Sequence, residues 1–151
     1  MTALRFAALL IAFATASAAH AQTTARPVPA APGNVPQPRQ DKIFPLGATW
    51  IAVSLNGRAF SGDRPSFTLD QQFRAKGFAG CNTFAATAYP LKEQNLAVGP
   101  FALTKKSCDK SLMQSEQAFL VALRSAGKWD QQGSTLVIKS QNGDLVFERA
   151  L

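Results

Sequence analysis

Two cysteines, Cys81 and Cys108, carry the most reactive side chains of this sequence. Two thiols can form a structural disulfide, act as a redox pair or contribute to a metal site. The C-x-x-C spacing typical of redox pairs is missing, and two thiolates without further ligands make a poor metal site. Only one pairing exists, and two cysteines on nearby segments of an exported protein usually form a structural bond. We therefore expect a Cys81–Cys108 disulfide, no metal and no cofactor.

The first 21 residues predict export. Arg5 precedes an uninterrupted apolar run at residues 6–14, and the segment ends in Ala19-His20-Ala21. A basic start, a short apolar core and an A-x-A ending are typical of a secretory signal peptide, here cleaved before Gln22. The run is too short to span a bilayer, which takes about 20 apolar residues. No cysteine stands at the cleavage point, so we expect a periplasmic or otherwise exported protein without a lipid anchor.

Removal of residues 1–21 would take away His20, the one histidine of the sequence. Serine-histidine-carboxylate triads, cysteine-histidine pairs and histidine metal sites would then be excluded. The S-x-x-K pattern of penicillin-binding enzymes occurs at residues 107–110 and again at 125–128, but the companion S-D-N and K-T-G elements are missing. The mature chain shows no coherent catalytic set, and we expect it not to be an enzyme.

A pair of carboxylates could still serve a glycosidase or another hydrolase. Glu116 is the acidic residue expected to be buried, because it falls within the apolar stripe of a predicted helix. A lone buried glutamate must find donors or a cation, and it is more often a structural acceptor than a catalytic acid. We expect its donors in the backbone of Asn82 and Thr83 or in the hydroxyl of Thr104. The rival hypothesis, a small hydrolase, needs Glu116 and Asp109 to line an open cleft.

Basic residues outnumber acidic ones by 16 to 9, and by 15 to 9 once Arg5 is removed with residues 1–21, which leaves a net charge of +6. Export argues against nucleic acid as the partner of this charge. We expect contact with an anionic envelope surface, such as lipid head groups or lipopolysaccharide, or with another envelope protein. The alternative is a well-solvated charged surface without a partner. The residues predicted to make this contact are Arg74, Lys76, Lys105, Lys106 and Lys110.

Residues 22–45 predict a linker. Prolines recur among alanine, threonine and glutamine, and such a segment cannot bury enough apolar area to offset its ordering entropy. We expect an extended, semi-rigid spacer. The alternative is a proline-rich recognition motif, although no P-x-x-P lies among convincing aromatic or basic anchors. One globular domain is then predicted at residues 46–151.

Short antiparallel strands are predicted through this domain. Arg74 and Lys76 of one strand are expected to face water, with Phe73 and Ala75 facing inward. Asn142-Gly143 favours a hairpin between the last two strands. Closely spaced strands with glycine-bearing turns indicate a mainly β fold, an antiparallel barrel or half-barrel. The predicted strands are residues 49–55, 65–70, 73–77, 84–89, 96–103, 135–139 and 144–148.

One helix interrupts the strands. Asp109 or Ser111 can cap its start, and Gly127 can end it. Its apolar residues recur at helical spacing and predict a single stripe that packs against the sheet. The members of this stripe are Leu112, Met113, Phe119, Leu120 and Leu123.

The motifs, taken in this order, resemble the META domain family and in particular its HslJ-like group. The resemblance covers essentially residues 46–151 and is specific in the combination of its parts. It departs from the family pattern at residues 105–107, usually more apolar, and at Ala85-Ala86, where a glycine is common. The residues that carry the resemblance are Trp50, Gly80, Cys81, Asn82, Thr83, Phe84, Thr104, Cys108, Glu116, Phe119, Leu120, Leu123 and Trp129.

The resemblance implies a barrel-like antiparallel β fold with one packed helix, in which these motif residues are structural. Family members are exported or membrane-associated bacterial proteins linked to heat shock and novobiocin resistance, without an established enzymatic activity. We therefore expect a non-catalytic protein that supports envelope integrity or stress tolerance by binding an envelope component. Besides the hydrolase, a small-ligand-binding barrel is an alternative, and an apolar cavity with a few polar groups would favour it.

Overall fold

Residues 41–151, the part of the chain that the computed structural model describes, form ten strands, one α-helix and one short 3₁₀ helix at Lys92–Gln94. The predicted signal peptide and most of the predicted linker lie outside these residues. The helix α1 is Lys110–Arg124. The strands are β1 (Thr49–Leu55), β2 (Arg58–Ala59), β3 (Ser66–Leu69), β4 (Arg74–Phe78), β5 (Thr83–Leu91), β6 (Asn95–Val98), β7 (Ala102–Leu103), β8 (Ala126–Gln132), β9 (Thr135–Ser140) and β10 (Leu145–Arg149).

Eight of these strands close into an antiparallel barrel. Their order around the barrel is β1-β3-β4-β5-β6-β8-β9-β10, and β10 pairs back onto β1. Closure leaves these strands without a free sheet edge. The two shortest strands are not part of this order: β2 pairs with the end of β1, and β7 pairs with the first residues of β5. The predicted fold, a mainly β barrel with one packed helix, is confirmed.

Alternating side chains build the interior of the barrel. In β5, for example, Phe84 and Ala88 are buried while Thr83, Ala85 and Thr87 are exposed. The buried face of α1 adds Phe119, which has no exposed surface and whose ring packs on three others. The centroids of Phe60, Phe84 and Phe147 lie 6.1, 6.1 and 6.3 Å from that of Phe119, within the range of favourable aromatic pairs. Among residues 41–151, no helix has the length and apolarity to cross a membrane.

The folded domain begins before Leu46, the predicted boundary. Phe44 is only 4% exposed, and its ring packs edge-on against Trp129 at 4.9 Å and Phe67 at 6.4 Å. Lys42 Nζ donates to Asp130 Oδ1 at 2.5 Å, and this hydrogen bond lowers the pKa of Asp130 to about 2. Residues 42–44 are thus part of the domain and not of the linker.

Two boundaries differ from the prediction around β8. The helix ends at Arg124, and Ser125 follows it with its hydroxyl donating to the carbonyl of Val121 at 2.8 Å. Gly127 therefore does not end the helix but lies inside β8, a strand that the sequence did not predict. Trp129 is the one buried residue of β8, whose other residues are mostly polar. The sequence of β8 therefore shows no alternation of apolar and polar residues from which a strand could be predicted.

Other predicted positions also differ. The segment predicted as one strand at residues 96–103 is divided into β6 and β7 by Gly99-Pro100, where the proline has no N–H to donate. Met113 is 38% exposed, although its helical spacing places it in the predicted apolar stripe.

Phe73 does not face inward, contrary to the prediction. Its side chain is 39% exposed and its φ is +60°, in the left-handed region that bulky residues rarely adopt. The Asp70 carboxylate accepts hydrogen bonds from the backbone of Gln72 and Arg74, both at 2.9 Å, and so closes the turn that contains Phe73. These bonds, with that of the Arg74 backbone first, lower the pKa of Asp70. Alternation therefore begins only after this turn, at Arg74.

Replacing Phe44 by alanine should lower the free energy of unfolding by about 3 kcal/mol, the typical cost of emptying a buried phenylalanine site. Urea titration of the mature protein measures this change. Ile43→Ala is the matched control, because Ile43 is 91% exposed and its loss should have little effect. Equal stability of the two variants would contradict the assignment of Phe44 to the core.

Candidate functional site

Glu116 projects from α1 toward the turn at residues 80–82 and is only 4% exposed. Its Oε2 accepts the backbone N–H of Cys81 at 3.1 Å and that of Asn82 at 2.5 Å. Its Oε1 accepts the side-chain amide of Asn82 at 2.9 Å. These three donors offset the cost of removing a carboxylate from water. The backbone N–H of Asn82 is one of the predicted donors to Glu116, whereas the other two predicted donors have different acceptors. The Thr83 N–H donates to Thr104, and the Thr104 hydroxyl donates to Asn82.

Asn82 carries the connection onward to the segment after β7. Its Oδ1 accepts the hydroxyl of Thr104 at 2.8 Å and the backbone N–H of Lys106 at 2.7 Å. The Thr104 hydroxyl in turn accepts the N–H of Thr83 at 3.1 Å. Asn82 therefore bridges the helix carboxylate and residues 104–106 through the two ends of one amide. We call Glu116, Asn82 and Thr104 the polar network.

A disulfide between Cys81 and Cys108 closes the same region covalently, as predicted. The two Cα atoms lie 6.2 Å apart, within the normal range for this bond. Gly80 precedes the first cysteine with a φ of +117°, a backbone conformation that favours glycine. The turn at residues 80–82 is thus fixed by its own glycine, by the disulfide and by Glu116.

The aromatic motif residues lie in the core and not in the polar network. Trp50, Phe84, Phe119 and Trp129 are all buried, on β1, β5, α1 and β8 respectively. Their positions hold the barrel and helix together around the site.

The two carboxylates of the hydrolase hypothesis are both engaged in structural hydrogen bonds. The carboxylate oxygens of Glu116 accept three hydrogen bonds inside the fold, although Glu116 also lines a groove along α1. Asp109 caps the helix, accepting the hydroxyl of Ser111 at 2.6 Å and the N–H of Leu112 at 2.9 Å, and these bonds lower its pKa. Within the described residues, no group of three or more His, Cys, Asp and Glu side chains could hold a metal ion.

The predicted basic residues divide into three places. Arg74 and Lys76 project from the outer face of β4, opposite Thr87 and Ala85 of β5. Lys105 and Lys106 follow β7 after Thr104, and Lys110 begins α1. Because Asn82 holds the backbone of Lys106, the polar network fixes where this lysine pair leaves the fold.

A shallow groove of about 560 Å³ lies on the outer face beside Arg74 and Lys76. Small side chains on neighbouring strands form its floor, since Lys76 pairs with Ala85 and Ala85 with Ala102 of β7. Arg74 Nε also contacts Asp70 Oδ2 at 2.9 Å, which orients the guanidinium along the rim. We call this surface the outer groove.

An exposed aromatic pair continues this outer face. Phe73 and Tyr89 have ring centroids 5.6 Å apart, and both remain substantially exposed. Tyr89 is the next outward residue of β5 after Thr87, the partner of Arg74. The alternating strand pattern does not predict this pair, because it places Phe73 inside. The turn-forming Asp70 three residues earlier was the available signal.

Comparison with known proteins gives a family. The sequence profile of the META domain matches residues 44–150, so the predicted family resemblance is confirmed, while the HslJ-like subgroup stays a prediction. No curated protein matches the chain.

Solved structures share the fold. An NMR structure of a protein from Burkholderia xenovorans has a TM-score of 0.57 and 23% identity, covering 77% of this chain and 99% of that one. A second NMR structure has a TM-score of 0.56 and 19% identity, covering 67% of this chain and 87% of that one. A crystal structure of a DUF4847 family protein from Bacteroides vulgatus has a TM-score of 0.50 and 15% identity, covering 66% of this chain and 90% of that one.

Glu116→Gln should cost about 1 to 2 kcal/mol of folding free energy, because the new amide nitrogen would face one of the three donors. Glu116→Leu should cost about 3 to 5 kcal/mol, since all three donors would then be buried without an acceptor. Denaturant titration measures both. Glu148→Gln at an exposed position is the control. If both Glu116 variants match the control, the carboxylate is not a structural acceptor.

Removing the disulfide by Cys81→Ala/Cys108→Ala should cost about 3 to 4 kcal/mol in the chain-entropy model, given a separation of 27 residues. The reduced parent protein is the control and should unfold like the double variant. Thiol labelling of the unfolded, unreduced protein should find no free cysteine. Two labelled thiols in exported protein would show that the bond does not form in the cell.

Proposed function

The chain belongs to the META domain family, and we propose that it is an exported, non-catalytic protein that binds an anionic component of the cell envelope. By this binding it would support envelope integrity under stress or antibiotic exposure. The predicted signal peptide supports export, and the disulfide is the kind of bond that persists outside the cytoplasm.

The observation that carries the proposal is the outer face of β4 and β5. There Arg74 and Lys76 stand beside the exposed pair Phe73 and Tyr89. Basic residues near an anionic lipid surface contribute about 1 kcal/mol each, and aromatic rings prefer the interfacial zone of a membrane. Together they form a surface suited to phosphate-bearing amphiphiles.

Lys105 and Lys106 extend the basic character of this region. Both are exposed, and they follow Ala102, which lies in the floor of the outer groove, by three and four residues. The net charge of +6 predicted for the mature chain adds a long-range attraction toward anionic surfaces. We propose lipid head groups or lipopolysaccharide as the ligand, because both present phosphate groups on an apolar body.

The engagement of Glu116 supports a binding protein in preference to a hydrolase. A general acid must reach a substrate atom, directly or through one water molecule. The oxygens of Glu116 instead face Cys81 and Asn82 inside the fold. Glu116→Gln should therefore leave surface binding intact wherever the fold is retained.

Vesicle sedimentation tests the proposal. Lys105→Glu/Lys106→Glu should weaken binding to phosphatidylglycerol vesicles by about tenfold or more at low salt, and added salt should remove the difference. Tyr89→Ser should weaken the part of the binding that persists at high salt, because that part is apolar. Parallel measurements with lipopolysaccharide distinguish the two sources of phosphate.

Lys139→Glu/Arg149→Glu is the matched control. It changes the net charge equally but acts on β9 and β10, and β9 lies across the barrel from β4. This control should lose less binding than the Lys105/Lys106 variant. Equal losses of binding in the two variants would show that net charge alone explains the effect. Absence of binding to both vesicles and lipopolysaccharide would reject the proposal. Turnover of a glycan or peptide that vanishes in a folded Glu116→Gln variant would reject its non-catalytic part.

A further inference from the structure

A second groove runs along α1 on the side of β7 that faces the helix. Its walls are formed by Leu103 of β7 and by Met113, Leu120 and Val121 of the helix. Two adjoining parts of about 380 and 490 Å³ share Leu103, Leu120 and Val121, so the groove is continuous. Leu103, Met113 and Val121 are 43%, 38% and 42% exposed, an unusual concentration of apolar side chains on one surface. We call it the helix groove.

A basic residue stands at each end of the helix groove. Lys110 borders one part and Arg124 borders the other. Arg124 lies fourteen positions after Lys110 on the helix, which corresponds to about 21 Å. Arg124 also donates to the carbonyl of Val98, which fixes its guanidinium beside the end of the groove. Among the described residues that line the groove, Glu116 is the one acid, and its oxygens are occupied by the polar network.

The residues along this side of α1 follow the spacing of a helix-packing surface. Lys110, Met113, Gln117, Val121 and Arg124 are three or four residues apart and therefore lie on one face. A second helix packs along such a stripe by placing its own side chains between these residues. Between the basic ends this face is mainly apolar, with Gln117 lying between Met113 and Val121. It therefore favours an occupant that is apolar in its centre and acidic at both ends.

A lipid fits this pattern less well than a protein segment does. An amphiphile with one anionic head could satisfy Lys110 or Arg124 but would place its apolar tail against the other cation. A second copy of α1, laid antiparallel in the groove, would bring Lys110 against Arg124 and repel it. A helix with acidic residues on both sides of an apolar stripe satisfies both ends and the middle.

We propose that the helix groove binds an amphipathic helix of a protein partner, about four turns long, with acidic residues at both ends of its apolar stripe. This contact goes beyond the binding of an anionic surface proposed above. It uses the helix side of β7, whereas the outer groove lies on the face formed by β4, β5 and β7. Each of the two contacts can therefore fail without the other.

NMR titration of the mature protein with a synthetic helix tests the inference. The probe is a peptide of about 16 residues with leucines at helical spacing and two glutamates at each end. Its binding should shift the amide signals of Leu103, Met113 and Val121. A matched peptide with lysines in place of the glutamates should bind at least about tenfold more weakly, because its ends would repel Lys110 and Arg124.

Val121→Glu should weaken binding of the acidic peptide by about tenfold or more, since it places a charge in the apolar middle. Met113→Gln is a second variant, with a milder loss expected, and serves if the first disturbs the fold. Ile43→Glu is the control, an equal change at a position that is 91% exposed outside the groove. It should bind the peptide like the parent protein.

The Lys105→Glu/Lys106→Glu variant separates this inference from the proposed function. It should bind anionic vesicles about tenfold more weakly at low salt and retain most of its affinity for the peptide. Equal binding of the acidic and basic peptides, or unchanged peptide binding by Val121→Glu, would overturn the proposal that the helix groove binds an acidic-ended helix. Loss of vesicle binding in Val121→Glu without peptide binding by the parent would identify a lipid as the occupant. A dimer that Val121→Glu dissociates would identify a second copy, and either result would overturn a helical partner.

Discussion

The burial of one carboxylate constrains the arrangement of the whole site. Glu116 can leave water only if donors meet it, and the donors come from a turn at the start of β5. The helix and the barrel are therefore held in one relative position by bonds that neither could form alone. Asn82 uses its other end to hold Lys106, so the same constraint extends from the core to the exposed basic residues.

The disulfide reinforces the part of the chain that the sheet holds least. β7 is only two residues long, and no regular structure spans residues 104–109 between it and α1. Such a segment has few backbone bonds to offset its ordering entropy. The polar network and the Cys81–Cys108 bond hold it at both ends. This explains why the two cysteines lie beside Asn82 and just before the helix, and not elsewhere in the barrel.

Local patterns predicted most of the fold, and failed where a side chain is governed by distant partners. β1, β5 and the β9–β10 hairpin alternate clearly, because one face of each packs inside the barrel. β8 was missed since Trp129 is its only fully buried residue, and its place is fixed by pairing with β9. Phe73 was misplaced because hydrogen bonds to Asp70 override the strand pattern. The sequence identified Glu116 and the basic residues, but their distribution on the two sides of β7 depends on long-range pairing.

That distribution has a consequence for how the protein can act. The outer groove and the helix groove both adjoin β7, and both carry positive charge, but one is shallow with small side chains and the other long and apolar. Because the polar network positions the segment after β7, it supports both surfaces at once. In our proposals, the outer groove binds an anionic surface on one side of β7 and the helix groove binds a helical partner on the other. Both proposed contacts depend on how the barrel and the segment after β7 are placed, and the buried Glu116 serves that placement through Asn82.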